Sequence, residues 1–308
     1  MNNTTTNNLP LVSVDVITYN SADTIIEALN SVAAQTYPKI ELIVSDDCSK
    51  DNTIALVQNW IEAHKKRFVR TQIVTADKNT GVTGNYSRAA EACQGEWIKD
   101  LDGDDILLPN CIELYIDYVT KNPDTIYLFG KVEVLGENEL KVRNFEDTIF
   151  DYTFFDLSAE EQYKWLITRS FQPIASVTSF YHRQKTEEAG IIYDTRIPML
   201  EDWPRWIQLV KAGIKLHFVN SIIARYRVSG SVSICSGTMY SESFRRSLAL
   251  MYVYYQYEPS KSFLGRRKAW ARYVGAQKII SNRITWKVLY EIIQILLLPK
   301  KLIKKLKI

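Results

Sequence analysis

Across its first 130 residues the chain alternates short apolar runs with amphipathic stretches, and this alternation restricts its fold more than any other feature. Residues 11–17, 40–45, 69–75, 96–101 and 125–130 read as strands. Residues 21–35, the segment after Asp51, 86–93 and 110–121 read as helices. In the first of these Ile25, Ile26, Leu29 and Val32 share a face; in the second Ile54, Val57 and Ile61 do, with Asp51 as N-cap. Strands and helices in this order predict an α/β fold: a parallel sheet with helices on both faces. Beyond residue 131 the pattern loosens into short strands, aromatic-rich loops and helices near 158–168 and 202–212. Residues 240–257 and 266–281 then predict a helical C-terminal extension.

Several chemistries are excluded by what is missing. The four cysteines, at 48, 93, 111 and 235, form no CxxC pair and are too sparse for a disulfide scaffold. The three histidines, His64, His182 and His217, lie in no zinc-binding spacing. No GxGxxG follows the first strand and no GxxxxGK[ST] occurs, which argues against dinucleotide and P-loop chemistry. The first ten residues, MNNTTTNNLP, are expected to be disordered and carry no secretory signal, so a cytoplasmic location is expected.

In an α/β sheet of this kind ligands gather at the carboxyl ends of the strands. Strand one ends in Thr18-Tyr19-Asn20, strand two in Asp46-Asp47-Cys48-Ser49, and strand four in the run Asp100 to Asp105. That run holds four acids, Asp100, Asp102, Asp104 and Asp105. Like charges so close repel, and a hard divalent cation such as Mg²⁺ or Mn²⁺ would relieve them. The same run also reads as an acidic, solvated turn that opens a helix after Pro109.

Five ordered motifs tip this balance: VSVDVITYN at 12–20, SVAAQTYP at 31–38, IELIVSDDCSKDNT at 40–53, NTGVTGNYSRA at 79–89 and GEWIKDLDGDDILLP at 95–109. In this order and spacing they resemble the family 2 glycosyltransferases of the GT-A fold, strongly to about residue 120 and loosely to about 230. The resemblance implies an inverting transfer from a UDP-sugar to a hydroxyl of a saccharide acceptor, with residues 11–130 binding the nucleotide sugar and 131–235 the acceptor. It implies that the backbone at Ile17 and Thr18, with Asn20 and the Asp47 carboxylate, holds the nucleotide, Asp47 accepting from the uracil N3–H. Asp46 would support the turn. Asp102 and Asp104 match the DxD motif, Asp104 binding Mn²⁺ or Mg²⁺ and Asp102 the ribose, diphosphate and metal. Asn85 and Arg88 would add nucleotide contacts. Leu200-Glu201-Asp202-Trp203 matches the ED motif, which makes Asp202 the general base, with Glu201 as the substitute. Arg227 would neutralise leaving-group phosphate. Two departures stand out: Tyr86-Ser87 where many members have Arg-Asn, and Ser229 where a His is usual. Aromatic residues also cluster in the second half (Phe154, Phe155, Tyr163, Trp165, Phe171, Trp203, Trp206), where they read mainly as core.

From Lys261 to the last residue 13 lysines and arginines meet one acid, Glu291, whereas the other 260 residues carry 25 basic and 34 acidic side chains. Residues 284–308 pair helical apolar positions with six lysines, which suits adsorption to an anionic membrane surface. A lesser alternative is packing on the protein itself or on a second copy in a homodimer. The longest apolar stretch, 288–298, is broken by Glu291 and Gln294 and does not span a membrane. Nucleic acid is disfavoured as a partner because the tail is too apolar and the crevice too acidic. The resulting expectation is a peripheral enzyme on the cytoplasmic membrane face, acting on a lipid-linked saccharide of a bacterial surface polysaccharide. Its rivals are a sugar nucleotidyltransferase and a non-catalytic nucleotide-binding scaffold.

Overall fold

The strands at the centre of the sheet, β1 (Val12–Thr18), β2 (Ile40–Asp46) and β4 (Trp97–Asp102), are apolar enough to be covered on both faces. A computed structural model of the chain describes residues 9–135, 151–169, 175–227, 234–235, 239–257, 259–260 and 263–280. With β3 (Arg70–Thr75) at one edge, these strands lie parallel in the order β3-β2-β1-β4. The register sets Ile17 opposite both Ser45 and Asp102, so three strand ends finish at one level.

The second half of the sheet departs from the all-parallel expectation. Strand β7 (Phe180–His182) inserts antiparallel between β4 and β6 (Tyr127–Leu135). Strand β6 runs parallel to β8 (Leu216–Arg227), and the two-residue β5 (Ile106–Leu107) pairs antiparallel with β8. This last pairing folds the 102–105 loop back over the sheet edge and brings Arg227 beside it. The three-residue β7 is too short for its periodicity to be read from sequence.

Helices cover both faces. On one, α1 (Ile25–Ala33), α2 (Thr53–His64) and α4 (Cys111–Lys121) bury Leu29, Trp60 and Tyr115 against β1, β2 and β4. On the other, α5 (Ala159–Thr168), α7 (Asp202–Lys211) and α8 (Glu242–Met251) enclose an aromatic core. Phe154, Phe155, Trp165, Trp203 and Trp206 are buried in that core and Tyr163 packs against it. They are packing residues, as the sequence reading mainly had them; Phe171 lies outside the described residues. After the short α6 (Arg183–Glu188), the chain reaches the loop before α7. The C-terminal extension is helical: α8 passes into a π turn over Tyr252–Tyr257, and α9 (Phe263–Ile280) packs on both.

Helix α3 (Gly81–Ala92) begins five residues earlier than the sequence predicts. Its start is set by Asp47, far away in sequence, whose Oδ2 accepts from the backbone N–H groups of Thr80 and Gly81 at 2.8 Å each. Gly81 has φ +82°, and a Cβ there would lie 2.5 Å from the Pro198 carbonyl oxygen, so the position requires glycine. The N-cap of α2 is Asn52 rather than Asp51; Asp51 instead accepts from the backbone N–H of Thr53 and of Ala22. The expected disorder of residues 1–10 falls almost wholly outside the described residues, as do Ser229 and the basic segment 284–308. Among the described residues no helix is long and apolar enough to cross a membrane.

Candidate active site

Two tight turns close the ends of β1 and β2. Asn20 and Cys48 adopt left-handed backbone angles (φ +50° and +68°), and Asn20 links the turns. Its N–H donates to Ser49 Oγ at 2.8 Å, and its Oδ1 accepts from the Lys50 N–H at 2.7 Å. Asp46 accepts from the Ser49 N–H and hydroxyl, the turn-supporting role expected of it. The carbonyl of Ile17 accepts from the Gly103 N–H at 2.9 Å, and that of Thr18 from the Asp47 N–H at 3.0 Å and from Asn85 Nδ2 at 3.1 Å.

The buried Asp47 and Asn85 and the half-buried Arg88 form one cluster behind these turns. Besides the two backbone N–H groups at the start of α3, Asp47 accepts from the Thr80 hydroxyl at 2.6 Å and Arg88 Nη2 at 3.1 Å. All four acceptor positions of its carboxylate are thus filled from within the chain. Asn85 is 2% exposed and accepts from Ser45 Oγ and Arg88 Nη2. In this arrangement the three residues bind one another and the start of α3, and a direct bond from a uracil N3–H to Asp47 requires one of the present bonds to be exchanged.

The acids of β4 and the following loop have distinct surroundings. Asp100 is buried opposite the equally buried Asp15 of β1. Burial, then the neighbouring Asp100 charge, hold Asp15 well above the usual carboxylate range, and burial raises Asp100 as well. Asp100 faces Arg205 Nη1 at 3.8 Å, and that guanidinium acts against the rise. Asp102 is partly exposed; burial of its carboxyl, with the charge of Asp104, pushes it up to about 7. Burial also raises Asp104. Asp105 is buried and accepts from the Arg227 N–H at 2.7 Å, which braces the loop.

The Arg227 guanidinium, expected at the leaving-group phosphate, lies beside the acidic loop and lowers Asp104 against burial. Nε donates to the Asp104 carbonyl at 2.8 Å and Nη2 to Glu27 Oε2 at 2.5 Å, so it holds the loop by its backbone. Pairing between β5 and β8 makes this contact, which no local pattern reveals.

Glu201 and Asp202 arrive from the other half, at the start of α7. Asp202 is 9% exposed and its Oδ1 accepts from the Trp203 N–H. Burial, then the charges of Asp202 and Asp102, hold Glu201 well above its usual range. Both acids line a small cleft with Tyr86, Asp100, Tyr127, Tyr193 and Arg205. Asp100 of β4 therefore lines the same cleft as the Glu201-Asp202 pair, and the charge of Asp102 reaches Glu201 although 99 residues separate the two in sequence.

Four residues of this cluster escaped the sequence reading. Asp15 carried a signal, a lone charge inside an apolar strand. Tyr86 figured only as a departure from the family pattern, yet its hydroxyl donates to Asp102 Oδ1 at 2.9 Å. Arg205 and Tyr193 carried none: the Arg205 guanidinium lies 3.9 Å from the Tyr181 ring centre and 4.2 Å from that of Tyr193, and Nη1 donates to the Tyr193 hydroxyl at 2.8 Å.

For a divalent cation the donor set fits in part. Asp102 and Asp104 are hard oxygen donors one residue apart, and the charge of Asp104 raises Asp102, the electrostatic condition a cation relieves. Among the described residues no three metal-ligating side chains converge, so a cation held here needs oxygens from a bound diphosphate.

Comparison with known proteins bears on the family and the fold. The model of the family described as glycosyl transferase family 2 matches residues 13–181. A Bacillus subtilis protein assigned provisionally to teichuronic acid biosynthesis as a glycosyltransferase, TuaG, is 27% identical over 229 residues, 74% of this chain and 83% of its own. The Escherichia coli enzyme WfgD, a UDP-Glc:alpha-D-GlcNAc-diphosphoundecaprenol beta-1,3-glucosyltransferase, is 32% identical over 130 residues, 42% of this chain and 49% of its own. Among solved structures, residues 1–349 of S. aureus TarS in complex with UDP-GlcNAc superpose with TM-score 0.62 at 17% identity, over 88% of this chain and 73% of that one. The mannosyltransferase PcManGT from Pyrobaculum calidifontis, in complex with GDP-Man and Mn²⁺, gives TM-score 0.56 at 16% identity, over 91% and 78%. The chain spans 44% of the longer TarS chain.

Proposed function

The chain belongs to glycosyl transferase family 2, and from that premise we propose that it is a metal-dependent, inverting glycosyltransferase that moves a sugar from a UDP-sugar to a hydroxyl of a saccharide acceptor. The observation that supports this reading is that Asp100, Glu201 and Asp202 line one cleft, with Asp102 at the end of the same strand close enough for its charge to raise Glu201. A donor diphosphate belongs on Asp102 and Asp104 and an acceptor hydroxyl on Glu201 and Asp202.

An alcohol has a pKa far above 7 and attacks an anomeric carbon readily only as its proton leaves. Asp202 takes that proton. Attack from the side opposite the nucleotide inverts the anomeric centre, so an α-linked donor gives a β-linked product. Asp102 and Asp104 hold the diphosphate end, and a divalent cation bound there would neutralise charge on the leaving nucleotide. The Asp46, Asp47 and Asn20 turns, with the backbone of Ile17 and Thr18, bound the nucleoside end. Asn85 and Arg88 keep that wall in shape, and Arg227 keeps the acidic loop in place.

The acceptor reading is a lipid-linked saccharide of a bacterial surface polysaccharide. The relatives TuaG and WfgD support it by their names, and the basic apolar composition of 284–308 supports work at an anionic membrane surface.

The test is a panel of UDP-sugars with Mn²⁺ and a soluble saccharide acceptor, following UDP release. Asp202→Asn keeps size and polarity but cannot take a proton, so turnover should fall about 10²–10⁴-fold with donor binding retained. Wild-type turnover in this variant removes Asp202 from the mechanism and transfers the role to Glu201. No UDP release from any donor overturns the reading as a whole.

A further inference from the structure

Tyr86 occupies a position where many family members carry arginine, and its surroundings give it a defined task. It is 2% exposed, so its phenol is enclosed by protein. Its ring lies nearly parallel to that of Tyr193, centres 5.9 Å apart and planes 9° from parallel. The Tyr193 hydroxyl accepts from Arg205, which sits one helical turn after Asp202 on α7. Ile17 and Ala89 pack around Tyr86 as well. The hydroxyl is therefore held in place from both halves of the molecule, and it donates to Asp102 Oδ1 at 2.9 Å.

A carboxylate on a short side chain turns easily about its terminal bond, where the torsional wells are broad. A fixed donor on one oxygen removes that freedom. Asp102 is partly exposed, and its Oδ2 accepts no hydrogen bond from a described residue. We propose that Tyr86 is a positioning residue for the donor: its hydroxyl holds Asp102 Oδ1 so that Oδ2 is presented to the diphosphate of the nucleotide sugar and to its divalent cation. The inference rests on the reading of Asp102 as a donor ligand. It assigns a function to a residue that sequence comparison marks only as a mismatch, because a neutral phenol here orients an acid.

The experiment compares UDP binding by calorimetry, with and without Mn²⁺, in the wild-type full chain, Tyr86→Phe and Asp102→Asn. Phenylalanine keeps the ring stack and removes only the hydroxyl. The gain in UDP affinity on adding Mn²⁺ should shrink about tenfold in Tyr86→Phe, the scale of one lost hydrogen bond to a charged group. Its metal-free UDP affinity should match wild type. An unchanged Mn²⁺ gain overturns the proposal. Equal weakening with and without metal also overturns it and makes Tyr86 a packing residue. Asp102→Asn separates the two levels. If it leaves the Mn²⁺ gain intact, the donor reading of Asp102 itself fails, whatever Tyr86→Phe does.

Discussion

Asp47 accepts from two backbone N–H groups, a hydroxyl and a guanidinium while almost fully buried. Hydrogen bonds to a charged acceptor contribute about 1.5–3 kcal/mol each, and a buried donor left without its partner costs about as much again. Asparagine keeps one acceptor oxygen and turns an NH₂ toward groups that are themselves donors. We expect Asp47→Asn to destabilise the protein by about 2–4 kcal/mol, measured by urea unfolding. A loss below about 0.5 kcal/mol would mean that water replaces these bonds without cost. Such a result would restore Asp47 as a free acceptor for the nucleotide base.

At the scale of elements the informative contact is between α7 and β4. Arg205 lies buried among Tyr127, Tyr181 and Tyr193 with Asp100 as its counter-charge, so the helix that carries Glu201 and Asp202 is tied to the strand that carries Asp102. Removing one member of a buried pair leaves the other uncompensated, a loss of about 3–5 kcal/mol. Arg205→Met should show that loss in urea unfolding, and Asp100→Asn added to it should recover part. If the double variant is as unstable as the sum of the singles, the two residues are not coupled. This contact also marks where sequence reading stops. Strands β1, β2 and β4, helices α1 and α4, and the acidic strand ends were legible because apolar periodicity and strand-end acids are local patterns. The early start of α3, the hold of Arg227 on Asp104 and the Arg205 cage were not, since each joins residues that only the folded sheet brings together. Asp202 and the Asp102–Asp104 pair were legible through motif resemblance; the nearness of Asp102 to Glu201 was not.

For the whole molecule, the charge asymmetry sets an expectation about where it works. The tail from 284 to 308 carries six lysines on an apolar background, and each contributes about 1 kcal/mol near an anionic surface before screening. Deleting it should release the protein from anionic vesicles in a sedimentation assay and leave transfer to a soluble acceptor intact. A truncated chain that still pellets with the vesicles removes the tail from membrane binding. The antiparallel insertion of β7 between β4 and β6 bears on a different stage of the protein's life, its emergence from the ribosome. Strand β4 is complete at Asp102, but the neighbour it must pair with begins at Phe180, about 80 residues later, or ~4–16 s of synthesis at ~5–20 residues per second. During that interval the nascent chain exposes an open, apolar sheet edge of the kind that recruits wrong strands. Slowing translation between these two strands should lower the soluble yield, whereas slowing it after β8 should not.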